Sequence, residues 1–217
     1  MKHSTLIFTF AISALFLLSC KKDKQNPTVE LTYPDYAMLK TGNYWVYQLF
    51  DIDSAGIASP GSTFDSCYVE KDTLINNQTY YKVVKPKPYS TNEKIFSYQR
   101  DSLHYVVSSS GQILFSSQDF TTVFGNEYFL ASTTDTICQV IKQMAEKDIE
   151  AATPAGTFIT MNSKTSFIMY PNWTFAGNPR AKHIRYSENI GIVVETLPFF
   201  VSQPWYKERR LVRYHLN

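Results

Sequence analysis

The residue with the most evident chemistry in this chain is Cys20, whose thiol follows a short apolar stretch. The stretch from Leu6 to Leu18 is almost wholly apolar, it begins after the basic Lys2, and it is followed by the small Ser19. Polar residues 21–24 come directly after the cysteine. A basic start, a short apolar run and a small residue before the cleavage point are the order of a secretory signal. The order predicts removal of residues 1–19, with cleavage after Ser19.

The run Leu17-Leu18-Ser19-Cys20 resembles a bacterial lipobox. This resemblance implies that Cys20 is lipidated. The polar, unpatterned residues that follow predict a flexible tether over residues 20–40, because such a stretch buries too little apolar surface to become ordered. Each buried methylene of an acyl chain contributes about 0.8 kcal/mol, so more than one chain anchors a protein stably. A transmembrane anchor is the alternative, but the apolar run has 13 residues and a span needs about 20. An ordinary cleaved signal with an incidental cysteine is the other alternative.

These features predict a cell-envelope protein that is tethered to a membrane by lipid. The outer membrane is our expectation, and Lys21-Lys22 after Cys20, without an acidic run, leaves open whether the protein faces the periplasm or the outside. The chain has 21 Lys and Arg against 19 Asp and Glu. So balanced a charge argues against nucleic acid as a partner, because nucleic-acid binding usually requires a basic face.

Cys67 and Cys138 are the two cysteines that remain. An exported protein folds where disulfides form, and an even pair of cysteines permits one bridge. Two buried thiols on separate strands explain the pair equally well. The sequence leaves both possibilities open.

The usual catalytic motifs do not occur in this sequence. A nucleophile elbow needs Gly-x-Ser-x-Gly, and no such run is present. Zinc sites use closely spaced His and Cys, whereas His104, His183 and His215 lie far apart without cysteine neighbours. We therefore expect no metal site, no cofactor and no enzyme activity.

Two of the acidic residues could in principle form the catalytic pair of a glycosidase. Such enzymes use two carboxyl groups on opposite sides of the scissile bond. Glu70, Asp72, Glu188 and Glu195 are available, but their spacing singles out no two of them. We expect them to be isolated acids on water-facing strand positions, and an unrecognised hydrolase remains the weakest of three functional hypotheses.

The composition favours a β-sheet protein. The chain has 15 Tyr and 15 Phe, and aromatic residues suit a pleated, half-buried surface. Short alternating segments separated by turn residues continue from Gly42 to the end of the chain. We predict a mainly β fold over residues 41–217, a single domain with an antiparallel sheet curled into a barrel or half-barrel and at most one or two short helices.

Two segments test this interpretation most directly. Thr136 to Ala152 contains apolar residues at helical spacing as well as a pattern compatible with a long strand, and we favour the strand because hairpins surround it. In the last strand, Arg209 and Leu211 share one face while Arg210 and Val212 share the other. This alternation predicts one face on the core and one in water.

An aromatic segment near the end of the chain is the one candidate contact surface. It holds Phe199, Phe200, Trp205 and Tyr206 beside two prolines, between predicted strands. Loops seldom carry so many large apolar residues without covering something. We expect a lid over the open end of the sheet or a contact for a partner.

Four segments together resemble uncharacterised envelope lipoproteins of the Bacteroidota. Taken in order along the chain they are GNYWVY at 42–47, DSCYVEKDT at 65–73, TPAGTF at 153–158 and NIGIVVE at 189–195. Such proteins are loosely similar to lipid-handling half-barrels, in which a curved antiparallel sheet encloses an apolar cavity. The resemblance implies a fold and a compartment and brings no catalytic residue.

Three functions follow as hypotheses. The first is a non-catalytic envelope lipoprotein that binds an apolar or amphiphilic ligand in the curved sheet. The second is an accessory subunit that docks onto an outer-membrane complex through exposed aromatic residues. The third is the unrecognised hydrolase. A cavity open at one end favours the first, a filled core with an exposed aromatic patch favours the second, and clustered acids in a cleft favour the third.

Overall fold

The computed structural model describes residues 32–88, 90, 92–177, 180–198 and 206–217, and these residues form an all-β fold. One 3-10 helix, Pro171–Ala176, interrupts the strands. None of the described helical turns has the length and apolarity that crossing a bilayer requires. The strands are β1 (Tyr44–Ile52), β2 (Ala58–Ile75), β3 (Gln78–Pro86), β4 (Lys94–Ser102), β5 (Tyr105–Ser108), β6 (Ile113–Ser116), β7 (Val123–Leu130), β8 (Thr136–Thr153), β9 (Gly156–Met169), β10 (Arg180–Ser187), β11 (Gly191–Pro198) and β12 (Tyr206–His215).

The ambiguous segment after residue 135 is a strand, as predicted. It forms β8, whose ladder pairs with β7 on one side and with β9 on the other. Cys138, Val140 and Met144 are its buried residues in the first half, and even spacing puts them on one face of a strand. Paired backbone on both sides outweighs the helix-friendly residues later in the segment.

All twelve strands belong to one antiparallel sheet with a simple order. Strands β1 to β6 form one meander and β7 to β12 form another, and each strand pairs with its neighbour in the chain. The two meanders meet where β1 pairs with β12, from Tyr44 opposite His215 to Ile52 opposite Tyr206. The first and last strands are therefore the centre of the sheet, and β6 and β7 are its edges.

The link between the edges shows why the sheet must curl. Residues 117–122 join the end of β6 to the start of β7, and a linker of this length reaches about 25 Å when fully extended. The edges of a flat twelve-stranded sheet would lie about 50 Å apart, because neighbouring strands are about 4.8 Å apart. The sheet therefore curls into a nearly closed barrel.

Across a seam, side chains hold the edge strand β6 against β9 and β10 of the other meander. The ring of Phe115 in β6 lies 4.4 Å, centroid to centroid, from that of Tyr186 in β10. The Ser163 hydroxyl in β9 donates a hydrogen bond to the Leu114 carbonyl at 2.8 Å. Among the described residues no backbone ladder joins β6 to β7, so side-chain packing and side-chain hydrogen bonds close the barrel on this side.

The domain begins earlier than the sequence predicted. The tether that the sequence predicts includes residues 32–40, but Tyr36 and Leu39 are buried. Tyr36 packs against Phe115 with ring centroids 5.0 Å apart. The Asp35 carbonyl accepts a hydrogen bond from the Asn189 backbone at 2.7 Å. The segment has no alternating apolar pattern, because Ala37 and Met38 separate the two buried side chains. The described residues from Thr32 to Asn217 accordingly belong to one compact unit.

Trp45 ties the central strand to the turn between β10 and β11. Its indole Nε1 donates a hydrogen bond to the Ile190 carbonyl at 2.6 Å. The ring lies over Gly191, where an added Cβ would come 3.1 Å from the indole nitrogen. Gly191 also has a φ of +99°, so this position needs glycine for both its backbone and its neighbour.

We therefore predict that Gly191→Ala destabilises the fold more than Gly111→Ala does. Both glycines have positive φ, which costs a side-chain-bearing residue about 1–2 kcal/mol. Only at Gly191 does a new Cβ also meet a neighbour, and overpacking adds about 1–3 kcal/mol. Urea denaturation measures the difference, and equal midpoints for the two variants would show that the contact with Trp45 is unimportant.

Candidate functional site

Most of the residues that the sequence singled out lie outside the described part of the chain. Tyr206, Cys67 and Cys138 are described, and Tyr206 opens β12 as a half-buried residue. The lid or partner contact predicted for this segment stays a prediction. Three predictions lie outside the described residues: signal cleavage after Ser19, lipidation of Cys20 and the aromatic contacts of Phe199, Phe200 and Trp205.

The two remaining cysteines form no disulfide. Both are buried free thiols, and they belong to different apolar clusters, Cys67 with Trp45 and Val193 and Cys138 with Met169. Burial raises the pKa of Cys67 to about 12 and also raises that of Cys138. Two protonated thiols in separate parts of the interior are structural residues, so the bridge that the sequence left open is absent.

The interior of the barrel holds a carboxylate, contrary to our expectation. Glu195 in β11 was predicted to face water, but it is 3% exposed. Its Oε1 atom accepts from the Lys182 ammonium at 2.8 Å and from the Lys85 ammonium at 3.0 Å. Its Oε2 atom lies 2.9 Å from Nη1 of Arg209. One buried carboxylate therefore has three cationic partners, from β3, β10 and β12.

Arg209 extends these contacts to a second acid. Its Nε donates to the Asp65 carboxylate of β2 at 2.5 Å, and its Nη2 donates to the Pro86 carbonyl at 3.0 Å. The guanidinium is 1% exposed. We call Glu195, Arg209, Asp65, Lys85 and Lys182 the Glu195 network. It explains how the inward face of β12 tolerates a cation beside Leu211.

The cations determine the ionisation of Glu195. Burial by itself raises the pKa of this carboxyl, but the charges of Lys85, Lys182 and Arg209 together outweigh burial and hold the pKa well below its ordinary range. Burial likewise lowers the pKa of Arg209, and Glu195 and Asp65 reverse that effect. Both members of the central pair are consequently charged at neutral pH.

A cavity opens at the seam, next to the network. Its volume is about 470 Å³, which is within the range of about 300–1,000 Å³ for small-molecule sites. We call it the seam cavity because its lining comes from both sides of the seam. Its apolar lining includes Phe96, Ile113, Leu114, Phe124, Ile184, Tyr186 and Ile192.

The seam cavity also has a polar wall. Lys142 in β8 and Lys182 in β10 both pair with Thr165 in β9, so these three side chains lie side by side. Lys85 lines the same cavity. The described residues contain no group of three or more His, Cys, Asp and Glu that could hold a metal ion. The arrangement can therefore bind through apolar contact and through ammonium groups.

A narrower space continues from the seam cavity towards the centre of the barrel. This second cavity, of about 60 Å³, shares Lys85, Ser97, Gln99, Tyr186 and Ile192 with the first. Tyr47 lines it and uses its hydroxyl to donate to the Ile192 carbonyl at 2.8 Å. Burial raises the pKa of Tyr47 well above its ordinary value. This hydroxyl is thus engaged in holding strands together.

Sequence reasoning missed the site because its residues come from distant strands. Lys85 and Glu195 are 110 positions apart, and no short motif joins them. One signal was available, since Arg209 shares a strand face with Leu211. A cation on the apolar face of a strand predicts a buried acidic partner, although the alternation alone does not say which acid.

Comparison with known proteins supports the fold. No family model and no curated protein matches the sequence. A solved structure from Bacteroides fragilis, described as a candidate exported protein with a YmcC-like fold, covers 84% of this chain and 100% of its own with 11% identity and a TM-score of 0.50. A second, a candidate lipoprotein from Parabacteroides distasonis, covers 85% and 100% with 12% identity and a TM-score of 0.51. The fold that the resemblance implied is confirmed.

We predict that acid destabilises this protein through Glu195. Because its pKa is depressed in the folded state, the carboxylate adds stability that is complete above about pH 5 and is lost as the pH falls towards the folded pKa. Glu195→Gln should remove this part of the pH dependence. It should also cost about 3–5 kcal/mol at pH 7, because Lys85 and Lys182 lose their carboxylate and Arg209 keeps only Asp65. Urea denaturation of both proteins between pH 7 and pH 3.5 measures each effect.

Glu93→Gln is the control for this experiment. Glu93 pairs with Lys87 at the surface, and such exposed pairs contribute at most about 1 kcal/mol. Adding Lys182→Met to Glu195→Gln should recover part of the lost stability, because the ion pair of Lys182 is with Glu195 and its ammonium is left uncompensated in the single variant, whereas Arg209 keeps Asp65. A Glu195→Gln protein that keeps the acid dependence of the parent would contradict the assignment.

Proposed function

We propose that this protein is a lipid-anchored protein of the cell envelope that binds an apolar or amphiphilic ligand in the seam cavity and catalyses no reaction. The observation that carries the proposal is the cavity itself, which has about 470 Å³ of space beside a row of apolar side chains. Protein interiors ordinarily leave few voids larger than one water molecule. A space of this size, reached at an unclosed seam, suits a ligand.

The compartment rests on separate support. The sequence before residue 21 resembles a lipoprotein signal, and the two proteins of similar fold are described as an exported protein and a lipoprotein. A lipid anchor at Cys20 would hold the barrel near a membrane, with the outer membrane as our choice. A protein in that position would have access to apolar and amphiphilic molecules of the envelope.

A neutral fluorescent probe tests the binding proposal. A chain beginning at Lys21 lacks the anchor but keeps every described strand and all three apolar clusters. We expect N-phenyl-1-naphthylamine to bind it with enhanced fluorescence. Thr165→Trp places a large ring in the cavity and should weaken binding by about tenfold or more.

Ile168→Trp is the matched control, because Ile168 lies three positions further along the same strand and faces outwards. Its affinity for the probe should equal that of the parent. Native mass spectrometry of protein purified without detergent should also show a bound amphiphile in the parent and less in Thr165→Trp. A parent protein that binds no probe and carries no bound molecule would refute the proposal.

An exposed aromatic patch supports docking as a second candidate function. Tyr128, Phe129 and Leu130 end the edge strand β7 and are more than half exposed, and Phe175 in the 3-10 helix is 70% exposed. A free strand edge can pair with a strand of another protein. We take an envelope protein that adds a strand to β7 as the partner in this second hypothesis.

Site-specific crosslinking in the intact envelope tests this second candidate. A photoreactive residue at Phe129 should give one discrete adduct with another protein. The same residue at Leu74, which is also strongly exposed but lies at the β2–β3 turn, should give none. Equal labelling at both positions would show that β7 has no dedicated partner.

A further inference from the structure

The lysines of the seam cavity indicate the charge of its occupant. Lys142 and Lys182 lie on either side of Thr165, so their backbones are two strand spacings, about 10 Å, apart. Lys85 adds a third ammonium group. Among the described residues that line this cavity none is Asp or Glu. The polar wall of the cavity is therefore cationic.

The Glu195 network does not neutralise this wall. It contains three cations and two carboxylates, because Glu195 and Asp65 share Lys85, Lys182 and Arg209. One positive charge remains in excess before Lys142 is counted.

The acid near Lys142 leaves that ammonium largely uncompensated. The Lys142 ammonium lies 3.6 Å from the carboxylate of Glu127, which is 62% exposed, and so exposed a pair contributes little. The wall thus keeps a net positive charge that the protein itself does not balance.

The ammonium groups also keep unused hydrogen-bond donors. An ammonium has three N–H donors, and the described contacts of Lys85 and Lys182 use one each, on Glu195. Their side chains remain 30% and 26% exposed. The remaining donors are thus open to whatever fills the cavity.

The stem of Lys142 is fixed by its neighbour. Gly125 of β7 lies opposite Lys142 in the ladder, and a Cβ at that position would come 3.3 Å from the Lys142 Cδ atom. The lysine stem therefore lies directly on the glycine backbone. A packed stem loses less conformational freedom when its head binds a ligand.

We infer that the occupant of the seam cavity is an amphiphile with an anionic headgroup, a carboxylate or a phosphate, bound by Lys142 and Lys182. Its apolar chain lies along Ile184 and Ile192, on the same cavity lining. The headgroup supplies the negative charge that the wall lacks, through charge-assisted hydrogen bonds. This inference rests on the proposed function, because it assigns the headgroup of the same ligand.

Displacement of bound N-phenyl-1-naphthylamine by amphiphiles of equal chain length tests the headgroup. Dodecanoate and dodecyl phosphate should displace the probe at about tenfold lower concentration than dodecyltrimethylammonium does. All are used below their micelle concentrations. Added salt should narrow the difference, because it screens charge. Inorganic phosphate alone should not displace the probe.

Two lysine variants locate the effect. In Lys142→Gln and in Lys182→Gln, about ten times more dodecanoate should be needed to displace the probe than in the parent. The concentration of dodecyltrimethylammonium that displaces the probe should be no higher than in the parent. Lys142→Gln should disturb the fold less than Lys182→Gln, because within the described part of the chain Lys142 pairs with the exposed acid Glu127 and not with the buried Glu195. Lys164→Gln is the control, since Lys164 neighbours Thr165 on β9 but faces outwards towards His183.

The outcomes separate this inference from the function on which it rests. Equal displacement by anionic and cationic chains, or equal loss in Lys164→Gln, would overturn the anionic headgroup while probe binding still supported the cavity. Displacement by inorganic phosphate as effective as by dodecyl phosphate would show that a free anion is bound and would overturn the amphiphile. Failure of the probe to bind the parent at all would remove the proposed function itself.

Discussion

A guanidinium that is taken out of water needs compensating charge, and this requirement at Arg209 determines how the two halves of the sheet meet. Arg209 lies on β12, where the two meanders join. Its partners are Asp65 in the first meander and Glu195 in the second. A shift of β12 by one residue would turn Arg210 inwards and Arg209 outwards. Every other side chain of the strand would also move to the opposite face of the sheet. The buried Glu195 and the partly buried Asp65 would then lose their shared cation, so the network specifies register as well as contributing contacts.

The same compensation explains why the interior is not filled with apolar side chains. Ammonium groups keep their charge only where water or a counter-ion reaches them. Lys85 and Lys182 approach Glu195 from the side of the seam cavity. Leucine side chains in that space would therefore cut off their ammonium groups from water. The open space and the buried acid are two parts of one arrangement. A ligand that replaces the water has to satisfy the same ammonium groups.

The sequence predicted the architecture well and the site poorly, for a physical reason. Alternation along one strand is local, so the two distinct faces of β12 and the strand at β8 were correctly predicted, although the sequence did not say which face of β12 turns inwards. Pairing across strands is not local, and the alignment of Lys142, Thr165 and Lys182 depends on registers that no single segment encodes. The prediction of the N-terminal boundary failed for another reason, because two buried side chains three positions apart in a segment without a strand form no alternating pattern.

The pairing of the first strand with the last has a consequence for when this protein folds. Residues 206–215 leave the ribosome, or emerge from a membrane, after all the other strands. Until then β1 lacks its partner strand β12, and Asp65 lacks Arg209, the cation that makes its partial burial favourable. Closing so long a stretch of chain is also slow. The topology therefore postpones a stable sheet until β12 has appeared. On the export route that we propose, this delay would leave the earlier strands unfolded while the chain is threaded through a membrane.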